Sequence, residues 1–285
     1  DEACTEELYE QTLDFAENFA TVLRFSVQKE TRCYVVVTCG EVHSDPCILE
    51  GGTRFDCPFI FAEGIEHPVY FKEFALPEGI VRARLYVTGL GMYEAFVNGK
   101  KAGQEFLAPG CNDYSAYVQY QTYDVTALLE SGTNVLTCEL ADGWYRGSCG
   151  AWGLKNQYGT ETKLLAQLEL TRADGSVQTV VTDESWEWSN DGPIRFADNK
   201  DGEIVPARMA PSYAGKAKVT SHSVTPSASN NVPVTEHEHL TAEKITTPSG
   251  KTVLNFGQNI AGYLSFSLMA KAGQVVKLRF GELLD

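Results

Sequence analysis

The sequence predicts an all-β protein built as a β-sandwich. Short runs rich in Val, Tyr, Phe and Thr recur along the 285 residues and are bounded by Gly, Asn and Asp, the pattern of strands joined by turns. Patterns with the period of a helix are few, and many short strands with few helices are typical of a sandwich. We therefore expect sheets with one face towards a core and one towards water.

The individual elements are predicted from polar–apolar alternation and from turn residues. An acidic segment, residues 5–18, favours a short helix, and residues 19–27 and 32–39 favour a hairpin. Asn98-Gly99 favours a type I′ hairpin turn, because both residues tolerate positive φ angles. One helical turn is expected at 125–131, with Asp124 as its cap. The other predicted strands are 69–75, 82–88, 93–97, 118–125, 134–140, 163–171 and 176–182.

The composition changes near residues 209–232, where Pro, Ser, Ala, Gly, Asn and Thr replace the apolar periodicity. Such a stretch is typical of a connection between domains. Strand patterns resume at 252–256, 263–269 and 274–280, too few to close a second sandwich, so this domain is either incomplete or completed by residues 209–245. The predicted division is an extension of a short helix plus strands (1–66), a sandwich (67–210), and a linker with the start of a second β-domain (211–285).

The net charge of −15 makes two classes of partner improbable. A negative protein repels nucleic-acid phosphates and anionic membranes, whereas a neutral sugar is unaffected. No apolar run approaches the roughly 20 residues that cross a bilayer. The sequence has eight cysteines and no Asn-x-Ser/Thr sequon, and we expect reduced thiols and a cytoplasmic location.

A glycine-rich segment between two predicted strands is the most informative part of the sequence. Residues 141–160 hold five glycines and four aromatic residues. Because sugars present flat C–H faces and many hydroxyls, a sugar site needs an aromatic platform and converging polar groups. The candidates are Trp144, Tyr145, Trp152 and Tyr158 for the platform and Asp142 and Arg146 for the polar groups. The alternative is that Trp144 only closes the end of the sandwich, since Trp is highly buried on average.

Two polar clusters are further candidates for ligand contacts. Asn112-Asp113 follow Pro109-Gly110, and Asp201 and Glu203 belong to the cluster 198–203. Oxygen ligands of this kind suit calcium, although the spacing in 198–203 is not that of an EF-hand; the alternative in both places is a solvated turn. No nucleophile elbow, phosphate loop or distinctive carboxylate pair occurs, so the residues alone predict no catalytic group.

A series of short motifs supports an assignment to a family. It includes Val97-Asn98-Gly99-Lys100, Asp142-Gly143-Trp144-Tyr145-Arg146-Gly147, Thr182-Asp183-Glu184-Ser185-Trp186, Asp201-Gly202-Glu203 and Phe256-Gly257-Gln258-Asn259. In number and order these motifs resemble the bacterial α-L-rhamnosidases of glycoside hydrolase family 78. The resemblance implies a galactose-binding-like jelly roll, related to rhamnose-binding modules that use calcium, followed by part of a second β-domain.

The resemblance also implies a role for the chain. In this family an α/α barrel further along the chain carries the catalytic carboxylates, which cleave terminal α-L-rhamnosyl bonds with inversion. We therefore expect an accessory module that binds a rhamnosyl-containing carbohydrate, has the barrel as a partner and holds no catalytic residue. The alternative is a purely structural scaffold that packs on the barrel. Cys111, where the family usually has Trp, and Val205-Pro206, where it commonly has Tyr-Asp, count against sugar binding.

Overall fold

The structure, a computed structural model, describes residues 32–36, 38–39, 41–44, 47–50, 53–150, 152–192, 194–204, 212–269, 271 and 273–281. The predicted helix at 5–18 and the predicted strand at 19–27 lie outside these residues. The chain divides into two units, Asp1–Thr235 and Glu236–Asp285. Within the described ranges, no helix is long and apolar enough to cross a membrane.

Strands are the main regular structure of the described residues, which confirms the all-β prediction. In chain order they are β1 (Arg32–Val35), β2 (Thr38–Cys39), β3 (Val42–His43), β4 (Cys47–Glu50), β5 (Phe59–Phe61), β6 (Val69–Ala75), β7 (Ile80–Leu90), β8 (Met92–Val97), β9 (Lys100–Lys101), β10 (Gln119–Asp124), β11 (Thr133–Ala141), β12 (Lys163–Arg172), β13 (Val177–Val181), β14 (Glu187–Ser189), β15 (Phe196–Asp198), β16 (Gly202–Ile204), β17 (Ala214–Lys216), β18 (Lys218–Thr220), β19 (Ser227–Ala228), β20 (Glu243–Thr246) and β21 (Thr252–Asn255). A 3-10 helix covers Thr126–Leu128 and the helix α1 covers Gly143–Arg146.

Two sheets form the sandwich of the first unit. The seven-stranded sheet has the order β18-β5-β12-β7-β10-β19, with β13 paired to β12 beside this path. The six-stranded sheet has the order β17-β14-β6-β11-β8-β9. The remaining strands form separate pairs, β1 with β4, β2 with β3, β15 with β16, and β20 with β21 in the second unit.

The core lies between the two sheets, because alternate side chains of each strand point to the same face. Leu85 and Leu168 of the seven-stranded sheet and Leu136 and Leu140 of the six-stranded sheet belong to one fully buried cluster. Trp186 closes this cluster, and its Nε1 donates to the carbonyl of Val181 at 2.8 Å, so the indole is buried with its polar group satisfied.

The Asn-Gly hairpin is confirmed between β8 and β9. Asn98 and Gly99 have φ angles of 51° and 75°, the positive values that a type I′ turn requires. The Asn98 side chain also donates to the carbonyl of Leu128 at 2.9 Å and accepts the N–H of Val135 at 3.0 Å. The turn is thereby fixed to the 3-10 helix and to β11.

The sandwich extends beyond residues 67–210, the range predicted for it. β5 precedes this range, and β17, β18 and β19 come from the stretch that composition predicted to be a connection. Edge strands of this kind depend on free backbone N–H and C=O groups of a neighbouring strand, which side-chain composition does not reveal.

Two predicted strands of the second unit do not form. Residues 263–269 and 274–280 have no strand pairing where the structure describes them, and side chains such as Phe266 and Phe280 are exposed. A strand pattern specifies a strand only when a partner supplies hydrogen bonds to its backbone.

Truncation of Leu168 tests the packing of the sandwich. Leu168→Ala is expected to lower the free energy of unfolding of the 285-residue chain by about 2–5 kcal/mol, because the buried methyl groups leave a cavity between the sheets. Urea denaturation, followed through the unfolding transition of the first unit, measures the change in the free energy of unfolding. Val177→Ala, on an exposed edge position of β13, is the control and is expected to stay within about 0.5 kcal/mol. If Leu168→Ala lowered the free energy of unfolding as little as Val177→Ala does, the burial of Leu168 between the two sheets would be contradicted.

Candidate functional site

The glycine-rich loop starts with the single turn of α1, directly after β11. Gly143 has a φ of 54°, and a β-carbon at this position would lie 2.8 Å from Met92, so glycine is required for both conformation and space. The backbone N–H of Asp142 donates to the carbonyl of Ala197 at 3.0 Å. The start of the loop is therefore held between β8 and β15.

Asp142 and Arg146 form a buried ion pair beneath the loop. Arg146 Nε lies 2.7 Å from Asp142 Oδ1, and the two residues are 8% and 7% exposed. The same guanidinium donates from Nη1 to the carbonyls of Thr160 at 3.2 Å and Ile65 at 3.4 Å. Burial raises the pKa of the Asp142 carboxyl, and Arg146 opposes the increase. The pair joins the two ends of the loop rather than facing solvent.

Asp198 holds the middle of the loop through backbone hydrogen bonds. Its Oδ2 accepts the N–H of Ser148 at 2.8 Å, and its Oδ1 accepts the N–H groups of Lys200 at 2.7 Å and Asp201 at 2.8 Å. A β-carbon on Gly147 would collide with Oδ2 of Asp198, which explains the second glycine of the motif. Asp201 accepts the hydroxyl of Ser148 at 2.7 Å and pairs with Lys155 at 2.6 Å.

These contacts leave little coordination capacity for calcium in the cluster 198–203. A calcium site needs six to eight oxygen ligands, as a rule with carboxylates free to coordinate. Both oxygens of Asp198 are occupied by N–H groups, Asp201 is paired with Lys155, and Glu203 is exposed on β16. In the described part of the chain, no group of three or more His, Cys, Asp or Glu residues is arranged to hold a metal ion. The cluster does not fit a calcium ion in this arrangement.

The aromatic residues of the loop have different environments. Tyr145 is 3% exposed and packs edge-on against Tyr114, with ring centroids 5.1 Å apart. Tyr158 stacks on Tyr145, with ring centroids 6.3 Å apart, meets Tyr114 edge-on at 5.2 Å and is 39% exposed. Burial raises the pKa of the Tyr158 hydroxyl, and the charge of nearby Asp113 adds to this increase. Trp152 is 87% exposed at a turn closed by bridging hydrogen bonds between Cys149 and Leu154.

Asn112 and Asp113 are neighbours in sequence with opposite burial. Asn112 is 2% exposed and donates to the carbonyl of Gly110 at 3.2 Å, while its Oδ1 has no hydrogen-bond partner within the described ranges. Asp113 is exposed, and its Oδ1 accepts the N–H of Ser115 at 3.1 Å and the hydroxyl at 2.7 Å. Asp113 therefore starts a turn, as the alternative predicted, and Asn112 offers one unpaired amide oxygen.

A cleft of about 610 Å³ opens beside the loop. Trp144 is the single predicted site residue in its wall; it is half-buried and also packs against a small cluster that contains Tyr114 and Tyr145. The cleft is lined by Arg84, residues 105–111, Tyr120, Gln121, Thr122, Trp144, Ala228, Ser229 and residues 231–234.

One wall of the cleft is the end of the first unit, residues 227–234. Its backbone pairs with β10 through Ser227 and Ser229, which donate to Val118 and Tyr120, both at 2.9 Å. Side-chain amides reinforce the pairing, since Gln119 donates to Asn230 at 2.8 Å and accepts from Asn231 at 2.6 Å. The wall thus belongs to the sandwich.

A chain of buried hydroxyls supports the opposite wall. Tyr93 donates to Gln121 Oε1 at 2.7 Å and lies 3.3 Å from the hydroxyl of Tyr123, which donates to Glu105 Oε2 at 3.3 Å. Gln121 in turn donates to the carbonyl of Pro109 at 3.4 Å. Burial raises the pKa of the Glu105 carboxyl, and the hydrogen bond from Tyr123 and the charge of Lys101 partly oppose this increase. Glu105 and the loop 106–110 are held in place by the sandwich interior.

Sequence reasoning missed most of the cleft. Arg84 belongs to the segment 82–94 that resembles the family, but no ligand role was predicted for it, and Glu105 belongs to no motif. Most of the wall at 227–234 lies in the stretch 209–232 that was predicted to be a connection. One feature of the sequence could have indicated that Arg84 faces away from the core. It stands between Ala83 and Leu85, which are both fully buried, and strand alternation directs Arg84 to the opposite face of β7. The sugar-binding roles predicted for Asp142, Tyr145, Arg146, Asn112, Asp113, Asp201 and Glu203 stay predictions.

Removal of Arg146 tests the buried ion pair. Arg146→Met is expected to lower the free energy of unfolding by about 3 kcal/mol near neutral pH, because Asp142 then stays buried without its counter-charge. The pKa of Asp142 is already raised in the folded state, so its folded form is most stable when protonated and loses stability as pH rises through that pKa. The decrease in the free energy of unfolding caused by Arg146→Met is therefore expected to become smaller as pH falls. Denaturation of the unsubstituted chain and the variant at neutral and at acidic pH measures this difference.

The exposed pair between Lys155 and Asp201 supplies the control for this experiment. Lys155→Met is expected to leave the denaturation midpoint nearly unchanged at either pH, because exposed ion pairs contribute little. Equal effects of the two substitutions, or an Arg146→Met loss that is independent of pH, would contradict the assignment of a buried pair.

Comparisons with known proteins identify the family. The α-L-rhamnosidase N-terminal domain matches residues 78–247, and the bacterial α-L-rhamnosidase concanavalin-like domain matches residues 245–285. An α-L-rhamnosidase of Streptomyces avermitilis is 39% identical over 227 residues, which are 75% of this chain and 22% of the relative. An α-L-rhamnosidase of an Alteromonas species is 34% identical over 233 residues, 76% of this chain and 25% of the relative.

Solved structures give the same result. The α-L-rhamnosidase of Aspergillus terreus has a TM-score of 0.68 at 32% identity, covering 82% of this chain and 31% of that one. The S. avermitilis α-L-rhamnosidase complexed with L-rhamnose has a TM-score of 0.60 at 38% identity, covering 68% of this chain and 20% of that one. The chain thus spans 22–25% of the length of the curated relatives it matches. It belongs to the α-L-rhamnosidases of glycoside hydrolase family 78, as the sequence motifs predicted.

Proposed function

We propose that this chain is an accessory module of an α-L-rhamnosidase and binds a rhamnosyl sugar in the cleft beside Trp144. The observation that carries the proposal is the cleft itself, whose volume of about 610 Å³ falls within the range of small-ligand sites. It brings an aromatic residue, Trp144, together with polar residues from three parts of the chain. An indole face against the C–H face of a sugar is the contact that an aromatic platform supplies.

The polar residues of the cleft offer both donors and acceptors to sugar hydroxyls. Glu105 supplies carboxylate oxygens, and Thr122 and Ser229 supply hydroxyls. Asn231 supplies its amide oxygen, because its amide N–H₂ group already donates to Gln119. A sugar hydroxyl donates one hydrogen bond and accepts others, so a mixed set of this kind suits it. Because Glu105 and Asn231 are held by Tyr123 and Gln119, they are positioned before the ligand binds.

For the whole protein, we propose hydrolysis of terminal α-L-rhamnosyl bonds. Family membership supports this activity, and the relatives from S. avermitilis and Alteromonas are both α-L-rhamnosidases. The S. avermitilis enzyme has been solved with L-rhamnose, which supports the sugar proposed for the cleft. In this proposal the catalytic carboxylates belong to a barrel domain, and no residue of this chain takes part in bond cleavage.

A structural scaffold is the second candidate, and a specific observation favours it. Asp142, Tyr145, Arg146 and Asn112 are all more than nine-tenths buried, so the motif of the glycine-rich loop serves the fold of the loop end. A module of this kind would pack on the barrel domain and show no affinity for sugar. The two candidates are separated by a direct binding measurement.

Calorimetric titration of the chain with L-rhamnose tests the proposal. We expect saturable binding with a dissociation constant on the order of 1 mM, as is typical of a ligand of so few atoms. Trp144→Ala is expected to weaken binding by about tenfold or more, because the aromatic face is lost. Titration with calcium and again after chelation shows whether a metal takes part.

The matched control is Trp152→Ala, in the same loop but outside the cleft wall. It is expected to leave the dissociation constant within about twofold. Trp144→Phe, which keeps an aromatic ring, should retain part of the affinity if the fold is intact, and thermal unfolding of each variant checks the fold. Absence of binding heat for the unsubstituted chain would favour the scaffold, and equal losses at Trp144 and Trp152 would reject the cleft as the site.

A further inference from the structure

Two free cysteines lie in neighbouring segments at the cleft. Cys111 is exposed and belongs to the cleft wall. Cys149 is half-buried in the glycine-rich loop, and its Sγ donates to the carbonyl of Trp144 at 3.3 Å. Trp144 itself lines the cleft together with Cys111. The sugar contacts proposed for the cleft use neither thiol.

The segments that carry the two thiols are packed on each other. Tyr114, which follows Cys111 in the same segment, meets Tyr145 of the glycine-rich loop edge-on, with ring centroids 5.1 Å apart. It also meets Tyr158, at the far end of the loop, at 5.2 Å. The three tyrosines form one aromatic cluster, and Cys149 lies between Tyr145 and Tyr158 in the loop. The segment of Cys111 is therefore held against the loop of Cys149.

The charges of the two thiolates act on each other and on the same neighbour. Burial raises the pKa of the Cys149 thiol, and the charge of Cys111 adds to this increase. Burial also raises the pKa of the Tyr158 hydroxyl, and Asp113, Cys111 and Cys149 add to it in that order. Because one charge perturbs another in this way only when the two are close, Cys111 and Cys149 are neighbours in space.

We propose that Cys111 and Cys149 are a redox-active pair, which forms a disulfide by exchange with a small-molecule disulfide and thereby raises the affinity of the cleft for its sugar. The cross-link joins the wall segment 105–111 to the loop that carries Trp144, two parts that only non-covalent contacts hold together in the reduced chain. The effect on affinity rests on the proposed function, whereas formation of the disulfide does not.

The exchange consists of two displacements at sulfur. The exposed Cys111, as a thiolate, attacks one sulfur of the reagent R–S–S–R, so that a mixed disulfide forms and RS⁻ leaves. Cys149, as a thiolate, then attacks the Cys111 sulfur, the protein disulfide forms and the second RS⁻ leaves. Two electrons pass from the cysteines to the reagent, and the two thiol protons convert both RS⁻ to RSH. The raised pKa of Cys149 keeps its thiol protonated, which assigns it the second step.

Oxidised glutathione is the reagent for the test. The folded 285-residue chain is incubated with it, the remaining thiols are blocked with N-ethylmaleimide, and tryptic peptides are mapped by mass spectrometry. Cleavage after Arg146 separates Cys111 from Cys149, so we expect one cross-linked pair of peptides. Cys111→Ser and Cys149→Ser are each expected to abolish this pair. Because Cys138 stays in the same tryptic peptide as residue 111, its loss in Cys111→Ser identifies the sulfur.

Cys57→Ser is the matched control, since Cys57 is a half-buried free thiol outside the cleft wall. The cross-link should form in this variant as in the unsubstituted chain. Glutathione that stays bound to Cys111 while Cys149 remains a free thiol would overturn the pair. A cross-link that survives Cys111→Ser would overturn it as well.

Titration with L-rhamnose before and after oxidation tests the effect on the cleft. We expect the dissociation constant to fall about threefold on oxidation, because groups fixed before the ligand binds lose less freedom on binding. Dithiothreitol should reverse the change, Cys57→Ser should show it and Cys149→Ser should not. Equal dissociation constants with the cross-link present would overturn the effect on affinity. Failure of L-rhamnose to bind in either state would overturn the proposed function and this effect with it, while the peptide map decides on the disulfide independently.

Discussion

The glycine-rich loop keeps its shape because two buried carboxylates, Asp142 and Asp198, accept hydrogen bonds from the loop itself. Asp142 binds Arg146, whose guanidinium reaches the carbonyls of Ile65 and Thr160, and Asp198 binds the N–H of Ser148. A carboxylate buried without such partners would be strongly unfavourable, so each of the two carboxylates depends on its hydrogen bonds to the loop. Because Trp144 lies between these two anchors in sequence, its position at the cleft depends on them.

The motif Asp142-Gly143-Trp144-Tyr145-Arg146-Gly147 therefore specifies the conformation of a loop more than a set of ligand contacts. Gly143 and Gly147 are required because Met92 and Asp198 leave no room for a β-carbon. Tyr145 fills the space beneath the loop against Tyr114. Trp144 is the member of the motif that reaches the cleft wall, and the groups that complete the cleft come from β7, from residues 105–111 and from the end of the first unit.

The sequence allowed the fold class to be predicted because strand alternation and turn chemistry are local. The positive φ angles of Asn98 and Gly99 follow from residue type, and the alternation 82–88 predicted that Ala83 and Leu85 would be buried. The cleft could not be predicted in this way, since Glu105, Trp144 and Asn231 are far apart in the chain and meet only through strand pairing. The edge strands β17 to β19 were missed for the same reason: their partners, not their composition, make them strands.

The proposed function requires that the cleft wall at Trp144 contacts a rhamnosyl sugar. The chain has four tryptophans, whose indole N–H resonances report on separate environments: Trp144 at the cleft, Trp152 exposed, Trp186 in the core and Trp188 beside it. We would follow these four resonances by nuclear magnetic resonance during titration with L-rhamnose. Binding of the sugar in the cleft predicts a saturable shift of the Trp144 resonance, with the Trp186 and Trp152 resonances unchanged. A shift confined to Trp152, or no shift of any resonance at saturating L-rhamnose, would contradict it.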